Sequence, residues 1–293
     1  MNGIENSIRY FAKSAPFRKG KASALAVAKM VHRISSSGTD YAEWPPIVVN
    51  SLPKSGTHLL LQVILGLPRY ASYGDFIATT PSLTMHRRSD AVLARKIARL
   101  APGEVCGAHL YYSDRIAEAL QQRGAVSLFI YRDPRDVFWS EMQYLLSMNR
   151  WHRSGRRARR FREFDQQFDF FLHGKQRRSL VSFEWPNFAN RVEPYLGWIE
   201  ETNTFSCRYE ALTDAAQARK SLYALSSHLQ ARIPSVGRCD QAEIVNKFLD
   251  AIRPEASHTF RSGKTQEWRT ELTPSQIDSL EKEVAVLLPR FID

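Results

Sequence analysis

Long apolar runs are missing from this chain: no uncharged stretch among its 293 residues reaches the roughly 18 that a membrane-spanning helix needs. The best N-terminal candidate, Ala24 to Val31, is short and interrupted by Lys29, so it reads as neither a signal-peptide core nor an anchor. Cysteine is scarce. Cys106, Cys207 and Cys239 are widely scattered and cannot all pair, which points to reduced thiols and a cytoplasmic setting. Cys106 and His109 have a spacing met in metal sites, but no second Cys/His pair joins them, so no metal is expected. Acidic residues are in deficit: 30 Asp and Glu face 41 Lys and Arg, a net charge of +11. That excess attracts anionic partners, yet no nucleic-acid-binding motif comes with it, and nucleic acid is not an expected partner.

What is present suits a globular enzyme-sized protein. The hydrophobic fraction, 43%, is ordinary for a chain with a core and too high for a disordered one. Residues 1–42 read as a basic appendage of short amphipathic helices, separated by Pro16 and closed by the polar joint Ser35 to Gly38. From residue 43 onward, strands and helices alternate. Strands are expected at Ile47–Asn50, Glu104–Ala108, Ala125–Tyr131 and Thr204–Tyr209. Helices are expected at Thr57–Gly66, Ala91–Leu100, Asp114–Arg123, Pro134–Met148, Ala216–Gln230, Gln241–Ala251 and Pro274–Leu288. Alternation of this kind implies a parallel sheet with crossover helices.

The segment Pro46 to Leu60 carries the strongest local signal. The apolar run Ile47 to Val49 breaks into the turn Ser51 to Gly56 and continues as a helix. A strand turning through Lys54, Ser55, Gly56 and Thr57 into a helix aims backbone N–H groups and the helix dipole at one small volume, which suits phosphate or sulfate. The spacing is not that of the magnesium-binding nucleotide loop, because the lysine precedes the only glycine. A second strand-to-helix corner follows at Tyr131, with Asp133 suited to the N-cap and Pro134 to the first helical position. Its Arg132 can hold a phosphate through two parallel hydrogen bonds, or can instead pair with Asp136; Ser140, two turns on, can add a hydroxyl. A third stretch, Phe260 to Arg269, is polar and basic without periodicity, with Arg261 and Lys264 flanking Gly263.

In this order the three stretches resemble the PAPS-dependent sulfotransferases, which use 3′-phosphoadenosine 5′-phosphosulfate. Pro53 to Thr57 is similar to that family's 5′-phosphosulfate loop, and Tyr131 to Val137 with Ser140 to its 3′-phosphate motif. Phe260 to Gly263 with Trp268 resembles its C-terminal phosphate loop, and Arg208 to Leu212 a segment whose tyrosine, here Tyr209, lies near the adenine. The resemblance spans roughly Pro46 to Leu272. It implies a three-layer α/β domain over 43–293, with a central parallel sheet flanked by helices. It also implies PAPS as co-substrate, adenosine 3′,5′-bisphosphate as product, and a nucleotide held by Lys54, Ser55, Gly56, Thr57, His58, Arg132, Ser140, Tyr209, Arg261, Ser262 and Gly263.

The same resemblance makes His109, in Ala108-His109-Leu110, the base that takes the acceptor proton, with Lys54 beside it in catalysis. The chain departs from the family pattern at Gly107, Leu59 and Ser262. His58, at the loop, can bind sulfonate or be the base itself. The expected acceptor is a small-molecule, carbohydrate or lipid hydroxyl, less readily an amine. Arginines 150, 153, 156, 157, 159, 160 and 162, followed by aromatics from Phe161 to Phe188, lie in the region the resemblance puts near the acceptor. The basic arm is a candidate for peripheral membrane contact. Rival readings are an Mg-ATP-dependent kinase and a non-catalytic polyanion-binding protein.

Overall fold

The computed structural model describes residues 15–82, 84–149, 152–175, 185–253 and 264–292, with side chains from residue 23. The described residues open with helix α1 (Ala15–Ser35) and the short α2 (Gly38–Glu43). Pro16 is the second residue of α1, where a missing N–H costs little, and the helix expected ahead of it lies outside the described residues. The expected joint does end α1, and Ser37 caps α2 in a reciprocal capping box with Asp40.

Strand β1 (Ile47–Ser51) is buried along its whole length, as a strand covered on both faces must be. It leads through the Lys54 turn into α3 (Thr57–Leu65), followed by β2 (Phe76–Ala78), α4 (Asp90–Ile97), β3 (Val105–His109) and α5 (Asp114–Gln122). Then come β4 (Val126–Tyr131) and α6 (Pro134–Gln143), which widens into a π turn over Tyr144–Met148. Strand β5 (Thr204–Arg208) and helices at Ala218–Arg232, Gln241–Ala251 and Pro274–Val284 complete the plan.

The five strands form one all-parallel sheet in the order β2-β3-β1-β4-β5. Residues alternate between two cores, as the pleat requires. Val48, Cys106 and Phe129 face one side with α4, α5 and α6, while Val49, Leu128 and Ile130 face the other with α3 and the helices at 218–232 and 241–251. The expected three-layer architecture is therefore observed. Strand β2 was not expected. Only three residues long, it pairs with the outer edge of β3.

Helix α1 is tied to the sheet rather than free. Lys29 Nζ lies 2.5 Å from Asp75 and 2.6 Å from the fully buried Glu104. Burial works against the Lys29 charge, yet the bonds to Asp75 and Glu104 outweigh it and raise its pKa. Burial likewise pushes the Glu104 carboxyl up, against the pull of Lys29. Of the aromatics after the arginine cluster, Phe168, Phe170, Phe171, Trp185 and Phe188 are core. Arg153, Arg156, Arg160 and Arg162 are exposed. Arg150 and Phe183 lie outside the described residues.

Candidate active site

A parallel sheet exposes the carboxyl ends of its strands along one edge, and a crevice forms where the strand order reverses. Here the reversal is at β1, with β3 on one side and β4 on the other. The Lys54 turn follows β1, Arg132 follows β4, His109 ends β3 and Tyr209 follows β5. One cavity of about 1210 Å³ opens along this edge, lined by Lys54, Gly56, Thr57, His58, His109, Arg132, Ser140 and Tyr209 among others. Ser55 is not on its wall: the side chain is fully buried, and its N–H donates to the Leu52 carbonyl at 3.1 Å. Within the turn that N–H is engaged by the backbone itself. Arg261, Ser262 and Gly263 lie outside the described residues.

The turn itself departs from ordinary backbone. Lys54 has φ 69° and Gly56 φ 96°, both left-handed. A Cβ on Gly56 would stand 2.5 Å from Cδ2 of Tyr209, so the glycine lets the tyrosine ring close over the loop. The Ser51 and Thr57 hydroxyls meet at 2.5 Å and staple the two ends of the turn. The N–H groups of the first turn of α3 have no acceptor within the helix and add to the positive end of its dipole. Lys54 Nζ sits 4.0 Å from the centroid of the Tyr144 ring, at the start of the π turn.

Arg132 is buried, 4.6 Å above the Tyr209 ring. Its Nη2 donates to the Lys264 carbonyl at 2.7 Å and lies 3.6 Å from Asp136, so the pairing alternative is present at long range. Asp136 accepts from the Gln266 N–H at 2.7 Å. Burial pushes the Asp136 carboxyl up to about 6 despite the Arg132 charge. Arg132 and Asp136 together hold the start of the chain that follows Gly263. Arg132 Nε is buried without a hydrogen-bond partner among the described residues, so it retains a donor.

His109 is set by contacts far away in sequence. The neighbouring Asn50 bonds to both the N–H and the carbonyl of Leu110 (2.8 and 3.2 Å), which clamps β3 to β1 just past the histidine. His109 Nδ1 lies 3.0 Å from the Ser51 carbonyl and 3.1 Å from its hydroxyl. A carbonyl only accepts, so Nδ1 carries the proton and Nε2 keeps a lone pair. Phe76 packs edge-on against the ring at 4.7 Å. Burial lowers the His109 pKa to about 4, with the His58 and Lys54 charges adding to it against the Ser51 bond. The imidazole is thus neutral at ordinary pH. Cys106, three residues earlier, turns its Sγ to the carbonyls of Asp75 and Gly107.

Asn50, Ser51, Phe76 and Tyr144 were not anticipated from sequence as site residues, and Asp136 only as a partner for Arg132. Asn50 and Ser51 carried one readable signal, polar side chains at the end of a strand otherwise wholly apolar.

The model of the sulfotransferase domain matches residues 45–288, and the chain belongs to that family. No curated protein sequence matches the chain. Among solved structures, mouse sulfotransferase SULT7A1 complexed with PAP is similar with a TM-score of 0.55 and 18% identity, over 82% of this chain and 83% of that one. A retinol dehydratase in complex with androsterone and inactive cofactor PAP gives 0.50 and 12%, over 92% and 86%. At these identities the likeness establishes the fold.

Proposed function

We propose that the protein transfers a sulfuryl group from PAPS to the hydroxyl of an acceptor with an apolar body. One observation carries this: a single cavity brings together a cationic helix-terminal turn, a buried arginine and a neutral imidazole with an open Nε2. The residues present fit the nucleotide. The turn at Lys54 to Thr57 suits the 5′-phosphosulfate, and Arg132 with its spare Nε donor, Ser140 and Tyr209 suit the 3′-phosphate end. Arg261, Ser262 and Gly263 complete that end in the proposal.

Bound there, PAPS supplies the sulfuryl group: the acceptor oxygen bonds to sulfur, the bond from sulfur to the 5′-phosphate oxygen breaks, and adenosine 3′,5′-bisphosphate leaves with that electron pair. His109 takes the acceptor proton at Nε2, while its Nδ1–H on the Ser51 carbonyl keeps the ring oriented. Lys54 and the N–H groups of Gly56 and Thr57 steady the charge that grows on the leaving oxygen. Aromatic walls, among them Phe76, Tyr111, Trp139, Phe188 and Tyr195, favour a flat or aliphatic acceptor over a bare sugar.

His109→Gln keeps the ring-sized volume and should lower transfer of labelled sulfate from PAPS about 100-fold or more. Calorimetry with adenosine 3′,5′-bisphosphate in EDTA should show metal-independent binding retained in the variant. Near-normal turnover would remove His109 from the chemistry. Preference for ATP would indicate a kinase, and absence of nucleotide binding a non-catalytic protein.

A further inference from the structure

Helix α1 has two faces, and one of them meets the sheet. On that face Lys29 bridges Asp75 and Glu104, His32 packs edge-on to Tyr73 at 6.1 Å, and Leu25 lies against Gly74. Positions 25, 29 and 32 share one side of a helix. Away from it, Val27, Met30, Val31 and Ile34 are 57%, 52%, 57% and 71% exposed. Their spacing is that of a continuous apolar stripe. Nine large apolar side chains are exposed among the described residues, and four of them are in this stripe, so it is not the scatter an ordinary surface shows.

The charge on the helix narrows what can cover the stripe. Its 21 residues hold five Lys and Arg (Arg18, Lys19, Lys21, Lys29, Arg33) and no Asp or Glu. Asp75 and Glu104 neutralise Lys29 only. A second copy of the same helix would press like charges together, on a chain already at +11. An anionic bilayer accepts both features, the apolar stripe at the level of the acyl chains and the cations among the headgroups. No helix among the described residues is long and apolar enough to cross a membrane, so the helix would lie in the interface.

We propose that α1 seats the protein on an anionic lipid surface through Val27, Met30, Val31 and Ile34. The seat is independent of the transfer chemistry, since no stripe residue lines the cavity. Its tether, Tyr73 to Asp75, runs directly into Phe76, which does line it.

The test is co-sedimentation of the full chain with vesicles of equal parts phosphatidylcholine and phosphatidylglycerol, against vesicles of phosphatidylcholine alone. Wild type should pellet with the anionic vesicles, less so at high salt, and Val31→Ser with Ile34→Ser should bind about tenfold more weakly. Both positions are exposed, so the double variant should melt at the wild-type temperature. Equal pelleting of the two proteins, no pelleting of wild type, or equal binding to both vesicle types would overturn the proposal. So would a wild-type dimer in size-exclusion chromatography that the double variant dissolves, because the stripe would then belong to a second copy.

Discussion

The two strand-to-helix corners of the cavity look alike in secondary structure and differ in how their polar groups are satisfied. After β4, Asp133 accepts from the Arg135 N–H at 2.9 Å and pairs with its guanidinium at 2.6 Å, while its own N–H donates to Glu210 at 3.0 Å. Arg132 and Asp136 reach the Lys264 carbonyl and the Gln266 N–H. After β1, the turn spends the Ser55 N–H and the Ser51 and Thr57 hydroxyls on itself and leaves the first turn of α3 aimed into the cavity. The first corner is largely a clasp for the C-terminal segment. The second turns the start of α3 toward the cavity, as the proposed anion site requires.

Substitutions at the two corners should therefore separate activity from stability. The largest effect is expected for Lys54→Ala, with a hundredfold to thousandfold loss of labelled-sulfate transfer (about 3–4 kcal/mol in the barrier) and an unchanged thermal midpoint. Arg132→Ala should do the reverse in part. It removes the cation beside buried Asp136 and the donor to Lys264, costing roughly 2–3 kcal/mol of stability in urea titration. The loss stays below that of a fully stranded charge because Asp136, already near 6, can take up a proton. If Arg132→Ala melts like wild type, the clasp is misassigned.

Gly56→Ala should move both readouts. A left-handed φ of 96° and a clash with Tyr209 together cost roughly 2 kcal/mol, read as lower stability and weaker adenosine 3′,5′-bisphosphate binding. Tyr209→Leu in the same chain should return part of the stability but not the affinity.

The smallest effect concerns pH. Burial first, and the nearby His58 and Lys54 charges after it, hold His109 at about 4, below its ordinary 6.5. Between these values the unfolded chain binds more protons, so stability should rise with pH through that window and fall on acidification. His109→Gln should flatten the dependence by roughly 1–2 kcal/mol, less than the full shift implies because the ring edge meets the cavity. A variant with the wild-type slope would show that the histidine is not held neutral.

The parts of this fold that were readable from sequence are those with strong local chemistry. The helix Gln241–Ala251 was anticipated to the residue, because Asp240 caps it and Ala251 ends its apolar period. Strands β1 and β4 were within a residue of their bounds, since mostly apolar runs between turn signals leave little choice. Strand β2 was missed, because three residues make no pattern and its pairing comes from β3, some thirty residues on. The helix expected to run to Met148 changes to a π turn at Tyr144, where Arg159, far along the chain, donates to the Leu145 and Leu146 carbonyls. Lys29 read as part of a basic appendage and is an anchor to Glu104, a carboxylate 75 residues away.

By itself the amino-acid order determined the alternation of strands and helices, the two corners, and the residue types able to meet a doubly anionic nucleotide. These are matters of period, capping and turn chemistry within a few residues. Only the tertiary structure decided which donors stay available, since Asn50 acts on Leu110, Ser51 on His109 and Tyr209 on Gly56 across distances in sequence that no local pattern encodes. The same holds for α1, whose bound face is set apart from its open face by Glu104 and Asp75 on Lys29, Tyr73 on His32 and Gly74 beside Leu25. Hydrogen-bond satisfaction is settled by partners in space.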